Sequence, residues 1–374
     1  MLLLALPVAI GLSLSEAKPA WRFAFSALAI IPLAGYMGRA TEQLAHRMGS
    51  GIGGLLNATF GNAAELILAL LALRRGLDDV VKASLTGSII GNLLLVMGAS
   101  FLAGGLKYPI QRFNRTAASA GSVLMVLAAM GMLVPAIFHY LVGPGAVGLE
   151  HKLSVSVCGL LILAYALNLI FSLGTHREHF NGKPEPTPAQ LKRAEERGEA
   201  DEPAWTIRTS TVVLLVATSF VAWMSEILVG AVEATGHELG LTGVFMGVVV
   251  VAIVGNAAEH SSAVLMAMKN HADLSVNIAM GSALQIALFV APVLVFSSYL
   301  RAEPMDLLFS TLEVAALILT VVIARMVAED GESNWLEGAM LLIIYAILGL
   351  AFFFLPAPPG SHHGAAPAAV HAPG

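Results

Sequence analysis

A five-residue motif that ends in glutamate occurs twice in this chain, each time inside a long apolar run. Gly-Asn-Ala-Ala-Glu occupies residues 61–65 and 255–259, and a Gly-Ser pair follows each copy, at 87–88 and 281–282. The offset between the copies is 194 residues throughout, and 12 of the 38 positions that begin at each motif are identical without a gap. A carboxylate in the middle of a membrane segment is costly and by default marks an ion or substrate path. The repeat therefore indicates a transporter built from two matched halves.

The composition is typical of a polytopic membrane protein. Of the 374 residues, 57% are hydrophobic and only 12% are charged, and the mean hydropathy is +0.79, whereas a soluble chain carries about 25% charged residues. The net charge of −5 is spread through the loops and gives no reason to expect a nucleic-acid partner. The single cysteine, Cys158, excludes an intrachain disulfide. Residues 1–14 lack a basic start and a cleavage site, so they are interpreted as a short first span and not as a signal peptide.

Apolar runs long enough to cross a bilayer, about 20 residues each, predict an all-α fold with 10–11 transmembrane helices. The domain plan is a short extra N-terminal span in 1–20, a first five-helix repeat in 21–175, a cytoplasmic linker in 176–206, a second five-helix repeat in 207–356 and a disordered tail in 357–374. The ten clear span candidates lie at 21–45, 51–74, 80–105, 116–142, 152–174, 207–234, 241–268, 274–300, 306–328 and 335–356.

Because each half has an odd number of spans, the two halves enter the membrane in opposite senses. Inverted-topology repeats of this kind bring equivalent positions together near the bilayer midplane, around a pseudo-two-fold axis. Glu65 and Glu259 each fall near the middle of a predicted span. The sequence therefore predicts that the two glutamates meet.

The distribution of basic residues predicts the orientation. Seven of the twenty Lys and Arg residues fall on one side of the predicted membrane. The richer side includes the linker and is predicted to be cytoplasmic, which with eleven spans leaves the N-terminus inside and the tail outside. The basic residues assigned to that side are Arg39, Arg47, Lys107, Arg112, Arg115, Arg177, Lys183, Lys192, Arg193, Arg197, Arg208, Lys269 and Arg325.

Two carboxylates at the midplane suit a divalent cation such as Ca²⁺, a hard ion that takes six to eight oxygen ligands. Glu65 and Glu259 together neutralise one Ca²⁺, so the loaded site carries no net charge. An empty site with both glutamates ionised is penalised by desolvation and by mutual repulsion, so protons are expected to bind when the metal leaves. Competition between protons and Ca²⁺ for the same side chains is the outline of an antiport mechanism.

Amides and hydroxyls near the two motifs are the predicted further oxygen ligands. The glycine before each Asn permits a helix distortion or the close approach of a neighbour, and a loosened turn exposes backbone carbonyls to a cavity. Each Asn lies three residues before its glutamate and is predicted to share a helical face with it. For the Gly-Ser pairs, close helix packing by small residues remains an equal alternative. The predicted metal-site residues are Glu65, Glu259, Asn62, Asn256, Gln285, Ser88, Ser282 and Asn92.

Three further ionisable residues are proton-relay candidates. Glu226 lies in the first span of the second half, and Glu42 lies late in the matching span of the first half. His260 directly follows Glu259 and titrates in a useful pH range, with gating or plain hydrogen bonding as the alternative role. His362, His363 and His371 in the tail are interpreted as part of a solvated segment.

These motifs resemble the calcium/cation antiporter superfamily, and specifically its cation/proton exchanger branch. The likeness rests on GNAAELILAL at 61–70, GSIIGNLLLV at 87–96, GNAAEHSSAVLMAMKN at 255–270 and GSALQIALFVAPVLV at 281–295. The resemblance implies two inverted five-span halves, Ca²⁺ bound between the two glutamates, and export driven by inward proton flow. It also implies that the helices of Glu42 and Glu226 slide to alternate access. The sodium-driven branch uses Ser/Thr-rich motifs where this chain has Asn and Ala, which favours protons as the coupling ion.

Several alternatives stay open from the sequence. A Na⁺- or K⁺-coupled Ca²⁺ exchanger and a Na⁺(K⁺)/H⁺ antiporter of the same fold are the main ones, and a passive cation channel is another. An intramembrane hydrolase requires a motif such as HExxH, and His237-Glu238 lacks the second histidine, so the protein is not predicted to be an enzyme. No cofactor is expected, the predicted partners are Ca²⁺, H⁺ and the lipid bilayer, and a homo-oligomer is left open. The predicted location is a bacterial-type plasma membrane.

Overall fold

The computed structural model describes residues 2–15, 17–143, 145–176 and 205–356. The predictions for the disordered tail and its histidines, and for nearly all of the linker, lie outside these residues. The described helices are α1 Ala5–Leu14, α2 Pro19–Phe60, α3 Ala63–Arg74, α4 Asp78–Ile90, α5 Met97–Gly105, α6 Arg115–Val142, α7 Val147–Ile170, α8 Ile207–Leu239, α9 Gly243–Phe245, α10 Ala252–Gly255, α11 Ala257–Met268, α12 Ala272–Gln285, α13 Ala291–Ser298, α14 Thr311–Val327 and α15 Trp335–Phe353.

Short irregular helical segments and one small sheet complete the fold. A 3₁₀ turn at Leu2–Leu4 precedes α1. Strands β1 (Gln111–Arg112) and β2 (Glu332–Ser333) pair antiparallel, with Gln111 opposite Ser333 and Arg112 opposite Glu332. They join the loop after α5 to the loop after α14, so the two repeats are linked at this face. The π-helical segments are Gly91–Val96, Phe171–Thr175, Met246–Val251 and Ile286–Val290.

The predicted all-α polytopic architecture is confirmed. Seven described helical segments are long and apolar enough to cross a membrane, and the pair Gly243–Gly255 and Ala257–Met268 forms an eighth candidate that bends by 59°. The helices α3, with 12 residues, and α14, with 17, are shorter, and α1, in the segment predicted as a short extra span, is an apolar helix of 10 residues. The seven continuous segments are Pro19–Ala45, Asp78–Gly105, Arg115–Val142, Val147–Thr175, Ile207–Leu239, Ala272–Ser298 and Trp335–Phe353.

The boundary between the first two predicted spans differs from the prediction. The helix α2 continues unbroken from Pro19 to Phe60, through the turn expected between 45 and 51. In the second repeat the corresponding helix, α8, ends where Gly240 adopts a left-handed backbone conformation with φ 69°. The 194-residue offset places His46 at the corresponding position, and His adopts that conformation less readily than glycine. The first repeat therefore lacks the residue that ends the helix in the second.

Polar caps determine where several helices begin. The side chain of Thr206 accepts a hydrogen bond from Thr209 N at the start of α8, and Thr242 does the same for Phe245 N at α9. Ser310 and Glu313 form a reciprocal capping box at the start of α14. Such caps satisfy amide groups that have no partner within the helix, so these helices begin at defined residues.

Apolar side chains on the outer helices face away from the protein. Leu160, Leu163 and Leu167 of α7 are more than half exposed, and so are Ile343, Ile347 and Leu350 of α15. Their spacing of three or four residues places each set on one helical face. In a membrane-spanning protein such faces contact lipid, so α7 and α15 lie at the periphery.

Candidate ion-binding site

Each glutamate motif lies at a break between two helical segments. Asn62, with φ −111° and ψ 31°, separates α2 from α3, and Asn256, with φ −90° and ψ 10°, separates α10 from α11. Glu65 and Glu259 are then the third residues of the new helices. The structure confirms the predicted helix distortion, and it places both carboxyl groups at helix N-termini, where the helix dipole favours negative charge.

Two equivalent hydrogen bonds join the repeats at these breaks. Ser282 Oγ donates to Asn62 Oδ1 at 2.7 Å, and Asn256 Nδ2 donates to Ser88 Oγ at 2.7 Å. The 194-residue offset converts Asn62 into Asn256 and Ser88 into Ser282, so the two bonds join repeat-equivalent pairs of residues, with the serine as donor in the first and the asparagine as donor in the second. A reciprocal contact of this kind is what a two-fold axis produces. The axis predicted from the inverted repeats therefore passes between the two motifs.

Asn92 and Gln285 extend this pair of bonds into one network. Asn92 Nδ2 donates to Asn256 Oδ1 at 3.0 Å and to Ser282 Oγ at 2.9 Å. Gln285 Oε1 accepts a hydrogen bond from Asn62 Nδ2. The network therefore contains all the amide and hydroxyl side chains that the sequence predicted for the site.

The π-helical turns next to the network also obey the repeat. The offset of 194 residues places Gly91–Val96 on 285–290, and the second π turn occupies Ile286–Val290. Asn92 lies within the first turn, and Gln285 immediately precedes the second. Single π turns inside α-helices are frequent at functional sites. Here they put non-equivalent amides of the two repeats into the same network.

The two glutamates remain outside this network. Both carboxylate oxygens of Glu65 and Oε2 of Glu259 are buried and have no hydrogen-bond partner within the described part of the chain, and the same holds for Asn92 Oδ1. The Glu65 carboxylate lies beside Gly255, four residues before Glu259 in the second motif. Oxygen atoms that are buried without a donor are costly, and a hard divalent cation is the ligand that such a set of oxygens suits.

Gly255 explains how Glu65 comes close to the opposite motif. A Cβ built on Gly255 would lie 3.3 Å from Glu65 Cγ and 3.8 Å from its Oε1. The glycine of one motif thus leaves room for the carboxylate of the other. Helix distortion and close approach of a neighbour were the two roles predicted for the motif glycines, and Gly255 shows the second.

One detail of the predicted site is corrected by the structure. Asn62 and Asn256 lie in the breaks, so they do not share one helical face with their glutamates, as the sequence spacing had suggested. Their amide groups bond to side chains of the other repeat instead. These bonds support a structural role for the two asparagines, which hold the repeats together and fix the orientation of the helix breaks.

The proton-relay candidates lie at different depths. Glu226 is half exposed and forms an ion pair with Arg75 at the end of α3. Glu42 is exposed on α2. His260 is partly buried beside Glu259, and its Nε2 has no hydrogen-bond partner among the described residues. The relay roles stay predictions, and the Arg75 partner of Glu226 is a contact for which the sequence carried no signal.

The candidate metal ligands of this site are all oxygen atoms. Within the described ranges, no group of three or more His, Cys, Asp and Glu side chains could hold a metal ion. The two carboxylates, with their amide and hydroxyl neighbours, are therefore the candidate cation-binding site. Carboxylate and carbonyl oxygens suit Ca²⁺ and Mn²⁺ and disfavour Zn²⁺, which takes nitrogen and sulfur ligands.

Gln285→Ala is expected to weaken Ca²⁺ binding about three- to tenfold without abolishing it, because Asn62 loses one hydrogen bond worth about 0.5–1.5 kcal/mol. The measurement is calorimetric titration of the purified variant with Ca²⁺. Ser261→Ala, at an exposed hydroxyl that bonds only within its own helix, is the control. An affinity unchanged by Gln285→Ala would remove this residue from the site.

The chain is similar to proteins of known sequence and structure. The family model described as sodium/calcium exchanger protein matches residues 18–174 and 209–354, two blocks separated by the predicted linker. A Ca²⁺/H⁺ antiporter of Synechocystis is 48% identical over 342 residues, which cover 89% of this chain and 91% of that protein. The Ca²⁺/H⁺ antiporter ChaA of Bacillus subtilis is 45% identical over 350 residues, covering 93% and 96%. The solved structure of native YfkE is 40% identical, with a TM-score of 0.79, and covers 95% of this chain and 100% of that one.

Proposed function

We propose that this chain, which belongs to the sodium/calcium exchanger protein family, is a secondary transporter that exchanges Ca²⁺ for H⁺ across a membrane by alternating access. The observation that carries the proposal is the pair of carboxyl groups in matched halves: Glu65 is buried, Glu259 is partly buried, and both oxygens of Glu65 and Oε2 of Glu259 are buried without a hydrogen-bond partner among the described residues. The relatives that are 45% and 48% identical carry the name Ca²⁺/H⁺ antiporter. Both are bacterial, which supports a location in a bacterial plasma membrane.

Charge balance supports an exchange of one ion for the other. With Ca²⁺ between two ionised glutamates the site is neutral, and with two protons it is neutral as well. The doubly ionised empty site carries two negative charges away from water, and burial of unpaired charge is strongly unfavourable. Only the two neutral states can pass through an occluded conformation at low cost. Ca²⁺ movement in one direction is thereby coupled to proton movement in the other.

The neighbouring residues have separate roles in this scheme. The Asn–Ser bonds keep the two breaks together around the pseudo-two-fold axis. Asn92 offers a buried oxygen without a donor, which is the best candidate for an amide ligand. Because Glu65 and Glu259 lie at helix N-termini, the helix dipoles favour their ionised forms when the metal is bound. No resident cofactor is proposed, since Ca²⁺ is the cargo, and no enzymatic step is needed.

Ca²⁺ binding is expected to release protons, and its affinity is expected to fall as the pH is lowered. Protons stabilise the empty form, so more protons are bound without Ca²⁺ than with it, and acid opposes Ca²⁺ binding. If two protons leave, the affinity falls by up to about 100-fold per pH unit in the range where both carboxyl groups are protonated. The measurement is proton release on addition of Ca²⁺ to purified protein in weak buffer, repeated from pH 5 to pH 9.

The same experiment separates the main alternatives. Glu65→Gln is the variant that should release no protons, and Na⁺ in place of Ca²⁺ tests the sodium-coupled exchanger. Ca²⁺ binding without any proton release, together with competition by Na⁺, would contradict proton coupling and support the sodium-coupled reading that the family description includes.

A further inference from the structure

Two basic residues occupy equivalent positions in the repeats and bind backbone carbonyls at the ends of equivalent helices, one residue apart in the repeat register. Lys107 and Arg301 are 194 residues apart, the same offset that relates the glutamate motifs. Lys107 Nζ donates to Met268 O at 3.0 Å, at the C-terminus of α11. Arg301 Nη1 donates to Leu73 O, at the C-terminus of α3. Each basic side chain thus binds the far end of the helix that carries the other repeat's glutamate.

The two contacts lie at opposite faces of the protein. The segment from Asp78 to Gly105 crosses the fold once. Arg301 also binds Asp78 Oδ2 at 2.7 Å, at the first end of this segment, whereas Lys107 follows its last residue. Arg301 therefore binds the end of α3 at one face, and Lys107 binds the end of α11 at the other. This is the arrangement that a pseudo-two-fold axis in the membrane plane generates.

Each glutamate helix is consequently fixed at both ends by the opposite repeat. The break that precedes α3 is bonded to Ser282 and Gln285, and the end of α3 is bonded to Arg301. Only about 12 Å separate Glu65 from Leu73 along the helix axis, at 1.5 Å per residue. A tilt or rotation of so short a helix moves the carboxylate directly.

The second glutamate helix is held in the same way. Asn256, in the break before α11, is bonded to Ser88 and Asn92. At its other end, Gln111 Nε2 donates to Ala267 O at 2.7 Å, beside the bond from Lys107 to Met268 O. Glu259 therefore stands on a helix whose two ends are bonded to the first repeat.

We propose that Arg301 and Lys107 are a matched pair of positioning residues, which hold the far ends of α3 and α11 and thereby fix the positions of Glu65 and Glu259 in the Ca²⁺ site. The inference rests on the proposed function, because it assigns the pair a role in Ca²⁺ affinity. A cation at a helix C-terminus is favourable through the helix dipole, and either Lys or Arg supplies it. The protein itself uses one of each at the two equivalent positions.

The two contacts are of unequal strength. Arg301 is partly buried, with 21% of its side chain exposed, and it also donates to Glu303 O at 2.8 Å. Lys107 is exposed, and Gln111 supports the same helix end. Exposed charged contacts contribute less than partly buried ones. Substitution of Arg301 is therefore expected to have the larger effect.

The test is the Ca²⁺ dependence of uptake into proteoliposomes with an imposed pH gradient, measured for Arg301→Ala, Lys107→Ala and wild type. A positioning role raises the KM for Ca²⁺, about fivefold for Arg301→Ala and about twofold for Lys107→Ala, with a maximal rate within about twofold of wild type. Arg301→Lys is expected to restore a wild-type KM. A purely structural role lowers the maximal rate, through loss of folded protein, and leaves the KM unchanged.

Exposed basic residues at the same two faces are the controls. Lys152→Ala is the control for Arg301. The hydrogen bond from Leu307 N to Ser154 Oγ places α7, which carries Lys152, beside the loop that follows Arg301. Arg325→Ala is the control for Lys107. If Arg301→Ala does not fold, Arg301→Gln is measured in its place. An unchanged KM in the Arg301 and Lys107 variants overturns the inference, as does an Arg301→Lys variant that behaves like Arg301→Ala. Wild-type protein without proton-driven uptake overturns the proposed function and the inference with it.

Discussion

Glu65→Gln and Glu259→Gln are each expected to abolish Ca²⁺/H⁺ exchange while leaving a folded protein. With one carboxylate removed, bound Ca²⁺ has an uncompensated positive charge in a buried site. Breaking a buried charge pair by removing one partner costs about 3–5 kcal/mol, and about 3 kcal/mol already corresponds to a ~100-fold loss of affinity. Gln keeps the volume of Glu, so the packing around the helix breaks is preserved.

The readouts for these variants are Ca²⁺ uptake and thermal unfolding in the same detergent. Glu238→Gln makes the same chemical change at an exposed position near the end of α8 and is expected to transport normally. Because the buried oxygens of Glu65 lack donors, the unfolding midpoint of Glu65→Gln is expected to equal or exceed that of wild type. Near-normal transport by either central variant would remove the glutamate pair from the mechanism.

Gly87→Ala is expected to damage the protein severely, whereas Gly281→Ala is expected to be tolerated. A Cβ built on Gly87 would lie 2.0 Å from Val248 O and 2.5 Å from Val248 Cα, both backbone atoms of a π turn. The same Cβ on Gly281 has no neighbour within 4 Å in the described part of the chain. Forcing a methyl group against packed backbone costs about 1–3 kcal/mol or more, and it displaces Ser88, which holds Asn256.

These two variants control for each other because the glycines are equivalent in the repeat and each precedes a serine of the network. We expect Gly87→Ala to lower the unfolding midpoint by several degrees, about what a 1–3 kcal/mol loss produces, and to reduce Ca²⁺ uptake at least ~10-fold, since the site is displaced. Gly281→Ala should remain within about twofold of wild type in the same assay. Equal effects of the two substitutions would contradict the close approach between α4 and the Met246–Val251 turn.

Much of the site could be predicted because the sequence repeats itself. The fixed offset showed which residues of the two motifs are equivalent. The odd number of spans in each half predicted that the halves have opposite orientations in the membrane. The sequence therefore predicted that the two motifs meet. The six amide and hydroxyl residues stood out as polar groups inside apolar runs. All of them lie in one hydrogen-bond network, because a polar group in a membrane interior must find a polar partner.

The pattern of bonds within the site could not be predicted in the same way. Which asparagine meets which serine depends on how far each helix rotates, and the breaks at Asn62 and Asn256 set that rotation. Asn92 and Gln285 are not repeat equivalents, so only the π turns explain how both reach the network. A serine follows both Gly87 and Gly281 in the sequence, and the close neighbour of Gly87 is visible only in the packing.

The remaining differences between the predicted and the observed structure have one long-range cause and one local cause. Glu226 was predicted as a relay from its depth in a span, and its partner Arg75 is 151 residues away in sequence. The continuity of α2 through the predicted turn reflects the absence of a residue like Gly240 at that point. Pattern analysis assigns segments to helices, but it does not determine which residue from another repeat will reach a given helix end.

Ca²⁺ uptake into proteoliposomes with an imposed pH gradient, compared between wild type and Glu65→Gln, decides whether the repeated glutamates carry proton-coupled exchange. We expect uptake that a protonophore abolishes and that is absent in the variant. Uptake that ignores the pH gradient and follows a sodium gradient would contradict proton coupling. Uptake by Glu65→Gln at the wild-type rate would contradict exchange at the repeated glutamates.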